Sequence, residues 1–384
     1  MGKQYISTVS AAQAHKLDIL GVAMTGKYTI TVSSDGYAAF WDNKKDEVHQ
    51  PLEFVTHKLI KDIGIHHVAV FETVPTGLTT KLVVLAFGCF DGSIVFYYYR
   101  NDDLETFSLI DTGKVFSDGF WSPGFYKDPE SVQNLFVVTK ANGSTAVYSL
   151  SLNLEDLSIE VADLIGTLNA SSITSFPNSL GISLTSEALC AVGYSSGDVV
   201  VFNLKSLKQE FTFHSTDLQV EEGQGSSSIP RVVEFSPGGT LLAVSRDNQS
   251  AGSITLYDVK YGENVGSLTT LSHSAKTNIG GFAHEGWIMG LSFNEDGSLL
   301  ASCGFDKCVR VWNMELRERE ATLVINITDL EDTTQDEEAD ASVCSGVAFI
   351  KKGVRGGAGG DSNEGLCVVS FDRGVRWYRE AGGI

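Results

Sequence analysis

One short pattern occurs seven times along the chain, and it restricts the fold more than any other feature. Each copy places a turn residue six positions before an aromatic residue that lies in a run of β-forming residues. The pairs are Asp35/Trp41, Asp91/Tyr97, Asn142/Tyr148, Ser196/Phe202, Ala251/Tyr257, Asp306/Trp312 and Asp372/Tyr378. Because the aromatic residues follow one another at intervals of 51 to 66 positions, each repeat is long enough for four short strands and their turns.

The clearest repeat, residues 284–313, has β-rich runs separated by Asn-Glu-Asp-Gly and Phe-Asp-Lys turns, as antiparallel strands require. No helical periodicity intervenes between the repeats. We therefore predict an all-β fold, a seven-bladed β-propeller in which residues 1–384 form a single domain. The repeats exceed the roughly 40–45 residues of a usual blade, so we expect the additional residues in loops, at 72–81, 215–228, about 326–345 and 353–365.

Two sets of four residues match the hydrogen-bonded tetrad of WD repeats in order and spacing. The sets are His284, Ser302, Asp306 and Trp312, and His15, Thr31, Asp35 and Trp41. In such a tetrad a hydroxyl and a carboxylate satisfy the buried Trp N–H and His ring, and the network fixes a turn. The chain therefore resembles the WD-repeat propellers. Phe87 and Val368 stand where the second and seventh repeats should carry the hydroxyl, so we expect packing to hold those blades.

The two ends of the chain complement each other. The last repeat stops after its third strand, at 375–379, whereas residues Gln4 to Ser10 read as a strand with no repeat of their own. Pairing this strand with the last blade would close the ring and remove an exposed sheet edge. We predict that Gln4–Ser10 is the outer strand of the seventh blade.

The charge of the chain restricts its partners. The net charge of −20 would repel a phosphate backbone, which argues against direct binding of nucleic acid. No apolar run approaches the roughly 20 residues needed to cross a bilayer, and the first residues do not form a signal peptide. We expect a cytoplasmic protein without membrane contact, and its six cysteines, which form no C-x-x-C pair, predict neither disulfides nor a zinc site.

Motifs that suggest chemistry have simpler structural interpretations here. The segment from Gly193 to Gly197 matches the G-x-S-x-G nucleophile motif, but that motif needs a following helix, and Ser195 is followed by a β-rich run. His66 and His67 are neighbours on a predicted strand, so we expect them to point to opposite faces. The stretch 329–340 has seven acidic and no basic residues, which is typical of a solvated loop, although it could also contact a basic partner or exclude RNA. We expect no catalytic residue, no metal and no cofactor.

A group of bulky residues is predicted to form a partner-binding face. Phenylalanine recurs just before the turn aspartate in three repeats, and in the WD architecture these turns surround one face of the disc. Exposed apolar groups in one place mark protein contact sites, although the same side chains could instead pack between blades. The predicted face consists of Trp287, Phe305, Trp121, Phe90, Phe371 and Arg231, and we expect it to take a short linear motif with an apolar anchor.

Several segments outside the blade consensus resemble one family more specifically. These segments are AHKLDILGVA, FAHEGWIMGLSFN, FIKKGVRGG and LCVVSFDRGVRWYREAGG, together with the histidine pair at 66–67. They are similar to the fungal WD-repeat subunit of the superkiller complex. The resemblance implies a non-catalytic scaffold that binds a tetratricopeptide protein and an RNA helicase in cytoplasmic 3′-to-5′ mRNA decay by the exosome. It also implies a nuclear role in meiosis, through a topoisomerase-like protein that initiates recombination.

Two alternatives remain from the residues alone. Another WD-repeat adaptor, for example a substrate receptor of a ubiquitin ligase, would have the same fold and differ only in the partner that copurifies. A propeller enzyme would need acids, a base or a metal converging on the central channel. The sequence contains no such constellation.

Overall fold

The computed structural model consists of β-sheets joined by turns and loops. It describes residues 4–43, 51–53, 55–75, 77–129, 133–153, 159–171, 175–214, 228–248, 251–270, 281–330, 341–354 and 364–381. These residues form 28 strands in seven four-stranded antiparallel sheets, with short 3-10 helices at Pro51–Glu53 and Ile327–Asp329. The prediction of a seven-bladed all-β propeller is confirmed, and none of the described segments is a helix able to span a membrane.

The strands follow one another from the inner to the outer position of each blade. The first strand, β1, is Tyr5–Ala11. Blades 1 to 3 contain β2 (Ile19–Met24), β3 (Tyr28–Ser33), β4 (Tyr37–Asp42), β5 (Thr56–Leu59), β6 (Ile65–Thr73), β7 (Leu82–Cys89), β8 (Ile94–Arg100), β9 (Asp103–Ile110), β10 (Phe120–Lys127), β11 (Asn134–Lys140), β12 (Thr145–Leu152) and β13 (Ile159–Leu168). Blades 4 and 5 contain β14 (Pro177–Ile182), β15 (Leu189–Tyr194), β16 (Val199–Asn203), β17 (Lys208–Phe213), β18 (Pro230–Phe235), β19 (Leu241–Asn248), β20 (Ala251–Asp258) and β21 (Glu263–Leu268). Blades 6 and 7 contain β22 (Ile288–Phe293), β23 (Leu299–Gly304), β24 (Cys308–Asn313), β25 (Glu318–Val324), β26 (Cys344–Ile350), β27 (Gly365–Ser370) and β28 (Val375–Glu380).

Each blade packs its two faces against its two neighbours. Strand β7 is buried along its whole length, and its side chains alternate between two hydrophobic clusters. Leu85 and Phe87 pack towards blade 1, whereas Val84 and Ala86 pack towards blade 3. The described residues form seven such clusters, one at each junction between blades. Burying one such aliphatic or aromatic side chain contributes about 1.5–3 kcal/mol, so the ring is held by apolar packing.

The chain closes the ring by pairing its first strand with its last. Strand β1 lies antiparallel to β28, from Tyr5 opposite Glu380 to Ala11 opposite Val375. The sheet order of blade 7 is β1, β28, β27, β26. The predicted closure is confirmed, and the junction beside it packs Trp41 against Trp377 with ring centroids 5.4 Å apart.

A central channel runs along the inner strands and opens on both faces of the disc. The first residues of the inner strands line one cavity and the last residues line another, so all inner strands run in the same direction. We call the end where they begin the upper mouth and the end where they finish the lower mouth, and name the two faces of the disc accordingly. Each mouth holds a cavity of about 500 Å³.

One prediction about turns needs correction, and one about loops is refined. Ala251 is a strand residue and not a turn residue, because the pairing of β19 with β20 continues up to Asn248 opposite Ala251. The loop predicted at about 326–345 lies between β25, which ends at Val324, and β26, which begins at Cys344, so of its described residues only the last two belong to a strand; residues 327–329 form a 3-10 helix within the loop. Positions 331–340 of the acidic stretch, 215–227 and 355–363 lie outside the described residues.

Candidate protein-docking site

The same backbone hydrogen bond ties the second strand of every blade to the start of its inner strand. A residue at the upper end of the second strand donates its N–H to the carbonyl of the residue just before the inner strand, at 2.8–3.0 Å. The seven donors are Ser34, Phe90, Ala141, Ser195, Asp247, Phe305 and Phe371. These positions are therefore structurally equivalent, and they surround the upper mouth.

Blades 6 and 7 place three aromatic rings in contact on the upper face. The ring centroids of Trp287 and Phe305 are 5.5 Å apart, and those of Phe305 and Phe371 are 6.2 Å apart, both edge to face. Trp287 remains 39% exposed and Phe305 41% exposed. The rings therefore do both things that were considered for them. They pack on one another between the blades, and they still present apolar surface to solvent.

Arg231 joins this group through its charge. Its guanidinium lies 5.0 Å from the centre of the Trp287 ring, as in a cation–π contact. Two parallel hydrogen bonds to Asp247, 3.0 Å from Nε and 2.5 Å from Nη2, fix its orientation. Asp247 occupies the position that phenylalanine has in three other blades. We call Arg231, Trp287, Phe305 and Phe371 the Trp287 cluster.

A second cluster lies across blades 2 to 4. Trp121 stacks on the His66 ring with centroids 4.0 Å apart, and Phe90 approaches both rings from the side. Phe176, the residue just before β14, closes the cluster with its ring 5.2 Å from that of Trp121. Phe90 is 52% exposed, so this group, which we call the Trp121 cluster, also presents apolar surface.

The expectation for His66 and His67 is wrong. A β-bulge between Ile65 and His67 shifts the register against β7, and the two Nδ1 atoms lie 2.5 Å apart instead of on opposite faces. Burial lowers the pKa of His66 to about 4 and that of His67 to about 3, so both rings are neutral at pH 7. His66 Nε2 then donates to the Cys89 carbonyl, and its free Nδ1 accepts from His67.

Three of the six predicted binding residues line the cavity of the upper mouth. Phe90, Trp121 and Arg231 line its cavity, together with the histidine pair. Trp287 does not line the cavity but contacts Arg231, which does. Phe305 and Phe371 continue the surface outwards over blades 6 and 7. The sequence did not reveal the parts played by His66, Phe176 and Asp247, because only the bulge and the equivalent backbone bonds place them here.

Both predicted tetrads form hydrogen-bonded chains at upper-face turns. In blade 6, Trp312 Nε1 donates to Ser302 Oγ at 2.9 Å, and this hydroxyl donates to His284 Nε2 at 2.7 Å. His284 Nδ1 binds Asp306 at 2.9 Å. In blade 1 the matching distances are 3.1 Å from Trp41 to Thr31, 2.8 Å from Thr31 to His15, and 3.3 Å from His15 to Asp35.

Charges stabilise the ionised aspartate of the blade 6 turn. Burial acts to raise the pKa of Asp306, but the hydrogen bond from His284 and the nearby Arg310 charge lower it to about 2. Arg310 Nη1 lies 2.6 Å from Asp306 Oδ2. The turn that presents Phe305 therefore rests on a charged, fully bonded carboxylate.

An ion pair holds the turn of blade 7, in addition to the packing that we expected to be the main support of this blade. Val368 is buried at the hydroxyl position, as packing requires. Arg376 Nη2 lies 2.6 Å from Asp372 Oδ2, and Nη1 donates to Ser370 Oγ at 2.7 Å. Both charged side chains are fully buried. In blade 2, where Phe87 is buried, Lys61 from the preceding loop binds Asp91.

The residues that were considered for catalysis or metal binding have these positions in the fold. Ser195 lies in the turn between β15 and β16, a strand–turn–strand arrangement without the helix that a nucleophile elbow needs. Among the described side chains, no group of three His, Cys, Asp or Glu residues could hold a metal ion. What the upper mouth offers is apolar and cationic surface around a cavity, which suits a protein segment.

Comparison with known proteins agrees with this geometry. The family model for the WD domain, G-beta repeat, matches residues 276–313, which include the blade 6 tetrad. The antiviral protein SKI8 of Saccharomyces cerevisiae is 33% identical over 407 aligned positions, which cover all of both chains. The chain belongs to the SKI8 family of WD-repeat proteins. The match to SKI8 spans the segments outside the blade consensus as well as the blades.

Two further relatives are more distant. The meiotic recombination protein rec14 of Schizosaccharomyces pombe is 26% identical over 267 positions, which cover 69% of this chain and 74% of rec14. Human apoptotic protease-activating factor 1 is 31% identical over 137 positions, only 10% of its own length. The second match covers only 35% of this chain, whereas SKI8 matches from end to end.

Proposed function

We propose that this chain is the non-catalytic WD-repeat subunit of a superkiller complex and that its upper mouth docks a partner protein. The observation that carries the proposal is the exposed aromatic surface of the upper mouth, in a chain that matches antiviral protein SKI8 over its full length. Exposed aromatic groups that adjoin a cavity are typical of protein contact sites.

The upper mouth suits a short segment with an apolar anchor. The anchor enters the cavity of about 500 Å³ between the two clusters, against Trp121 and Phe90. The Trp287 cluster covers the flanking residues of the segment, and Arg231 is held ready for an acceptor by Asp247. Tryptophan and arginine supply much of the binding energy in protein interfaces.

The partners follow from the resemblance to the superkiller subunit. They are a large tetratricopeptide scaffold and an RNA helicase, and the assembled complex supports cytoplasmic 3′-to-5′ mRNA decay by the exosome. Direct contact with RNA is not part of this proposal, because a net charge of −20 disfavours it.

A second function is proposed in meiosis. It is favoured by the likeness to a meiotic recombination protein, rec14, over 69% of the chain. The partner would be the topoisomerase-like protein that initiates recombination, in the nucleus. The same upper mouth would serve both partners in turn.

Affinity purification of the tagged chain, followed by mass spectrometry after a salt wash, tests the proposal. We expect an RNA helicase and a tetratricopeptide protein from growing cells, and a topoisomerase-like protein from meiotic cells. Recovery of ubiquitin-ligase adaptors instead would contradict the superkiller assignment and favour the alternative adaptor role.

We also propose that residues 1–384 are one domain, because β1 is needed to complete blade 7. Deletion of residues 1–11 should then destabilise the whole ring in a single unfolding transition. A truncated chain with an unchanged thermal midpoint would contradict this.

A further inference from the structure

The lower mouth of the channel differs from the upper mouth in its charge. Among the described residues that line its cavity, four are carboxylates and one is a lysine. They are Glu72, Glu234, Glu295, Glu364 and Lys351. The remaining wall is largely apolar and includes Met24, Ile182, Val233 and Phe349.

Two of these carboxylates already have good partners. Glu72 lies 2.7 Å from the ammonium of Lys81 and also accepts from the backbone N–H of Gly26 at 3.0 Å. Glu295 lies 3.6 Å from Lys351, and both side chains are exposed. These two groups are accounted for by ion pairs within the chain.

Glu234 and Glu364 are not compensated to the same degree. Glu234 accepts one bond, from the backbone N–H of Phe293 at 3.3 Å, and no cation of the described residues pairs with it. Oε1 of Glu364 accepts from the Asn294 side chain at 3.0 Å and lies 3.5 Å from Lys352. Its Oε2 is buried without a hydrogen-bond partner among the described residues, and Glu364 as a whole is 1% exposed.

Both carboxylates belong to the wall of the same cavity. Their bonds go to consecutive residues, Phe293 and Asn294, at the end of the inner strand of blade 6. Burial raises the pKa of Glu234 to about 7, as expected for a carboxyl group held against apolar surface without a cation. A buried carboxylate oxygen without a partner is costly, and a positive group in the cavity would stabilise the ionised form of Glu234.

We propose that the lower mouth is a second binding site, which takes a lysine or arginine side chain from a partner protein. The cationic head lies against Glu234 and Glu364, and the aliphatic stem follows the apolar wall at Ile182 and Val233. Long basic side chains have this combination of apolar stem and charged tip. The cavity of about 500 Å³ lies within the range of pockets that enclose such groups. This site is independent of docking at the upper mouth.

The four methionines of the chain allow a direct test, because Met24 lines the lower mouth, Met289 lines the upper mouth and Met314 lies in the core between blades 5 and 6. Protein labelled at the methionine methyl groups is titrated with the blocked tripeptides Gly-Lys-Gly and Gly-Arg-Gly, and NMR follows each methyl signal. We expect saturable shifts at Met24, while Met289 and Met314 stay unchanged. The tripeptide with norleucine in place of lysine should not shift Met24.

Two variants separate a built site from general attraction to an acidic protein. Glu234→Gln should weaken binding at least about tenfold, the effect of losing one charge-assisted hydrogen bond. Glu295→Gln removes the same charge from the same mouth and should change binding less than about twofold, since an exposed pair contributes little. Unchanged Met289 and Met314 signals show that each variant is folded.

Three results would overturn the proposal. The first is a Met24 methyl signal that does not shift at millimolar concentrations of the lysine and arginine tripeptides. The second is an equal Met24 shift with the norleucine tripeptide. The third is an equal loss of peptide affinity in Glu234→Gln and Glu295→Gln. If Glu234→Gln does not fold, the comparison of lysine with norleucine on the native chain still decides.

Discussion

The upper-face turns of blades 6 and 7 both present a phenylalanine, but they are held by different chemistry. In blade 6 a ring and a hydroxyl support Asp306, with Arg310 at its outer oxygen. In blade 7 there is no hydroxyl at the tetrad position, and Arg376 binds Asp372 directly inside the core.

The difference shows which part of the tetrad this site depends on. Both blades keep the turn carboxylate next to the exposed ring and pair it with the arginine four residues later, but blade 6 adds an imidazole and a tetrad hydroxyl that blade 7 lacks. In blade 2 the turn carboxylate, Asp91, is paired with Lys61 at the surface. The turn that presents an aromatic side chain needs a bonded carboxylate, and the partner of that carboxylate can come from different positions.

The largest stability effect is expected at the buried pair of blade 7. Arg376→Leu leaves Asp372 buried without a counter-charge, which should lower the free energy of unfolding by about 3–5 kcal/mol in a urea titration. The double variant Asp372→Asn/Arg376→Leu should lose less, because no buried charge remains. Equal losses for the single and double variants would show that the ion pair does not hold the turn.

A smaller loss is expected when the tetrad of blade 6 is broken. Ser302→Ala leaves Trp312 Nε1 and His284 Nε2 without their shared partner, at a cost of about 1–3 kcal/mol. Thr31→Val in blade 1 should behave alike. Ser117→Ala, which removes an exposed hydroxyl, serves as the control and should change the unfolding midpoint little; a similar midpoint for Ser302→Ala would contradict the role of the tetrad.

Acid should weaken the blade 6 turn. The pKa of Asp306 is about 2 in the folded chain against an ordinary value of 3.8, so its contribution is present above pH about 4 and is lost as the pH falls towards 2. After solvent screening we expect this contribution to be about 1 kcal/mol. Between pH 4 and pH 2.5, the free energy of chemical unfolding should decrease less for Asp306→Asn than for the native chain. Identical decreases would argue against a stabilising contribution from ionised Asp306.

The smallest effect is expected at the surface pair of blade 2. Lys61 and Asp91 are each about one-third exposed, so Lys61→Met should cost less than about 1 kcal/mol. The pair should also weaken in high salt, unlike the pair of blade 7. If thermal denaturation showed a loss of stability for Lys61→Met as large as that for Arg376→Leu, the two turns would not differ in the way described.

The repeat determines most of what could be predicted about the fold. Seven blades, closure by the first strand and the residues of both tetrads follow from spacing and patterning, because each blade repeats one local solution. The contacts of His66 could not be predicted, since a single-residue bulge reverses the direction of its neighbour. The Arg376–Asp372 pair was missed because the repeat spacing does not indicate that an arginine four residues after the turn aspartate reaches back to it across the hairpin.

The residues of the proposed docking face were predicted, but their arrangement was not. Sequence indicated Phe90, Phe305 and Phe371 by their place before the turn. It did not indicate that Trp121 stacks on a histidine or that Asp247 orients Arg231, because these contacts join blades that are distant in sequence.

The central claim, that the upper mouth docks a partner protein, is tested most directly by measuring partner retention with one double variant. Trp287→Ala/Phe305→Ala removes the exposed centre of the Trp287 cluster, and Tyr261→Ala removes an even more exposed ring from a turn on the lower face. Affinity for the copurifying tetratricopeptide protein should fall at least about thirtyfold in the double variant and stay unchanged in the control. Native affinity in a double variant with an unchanged unfolding midpoint would contradict the claim.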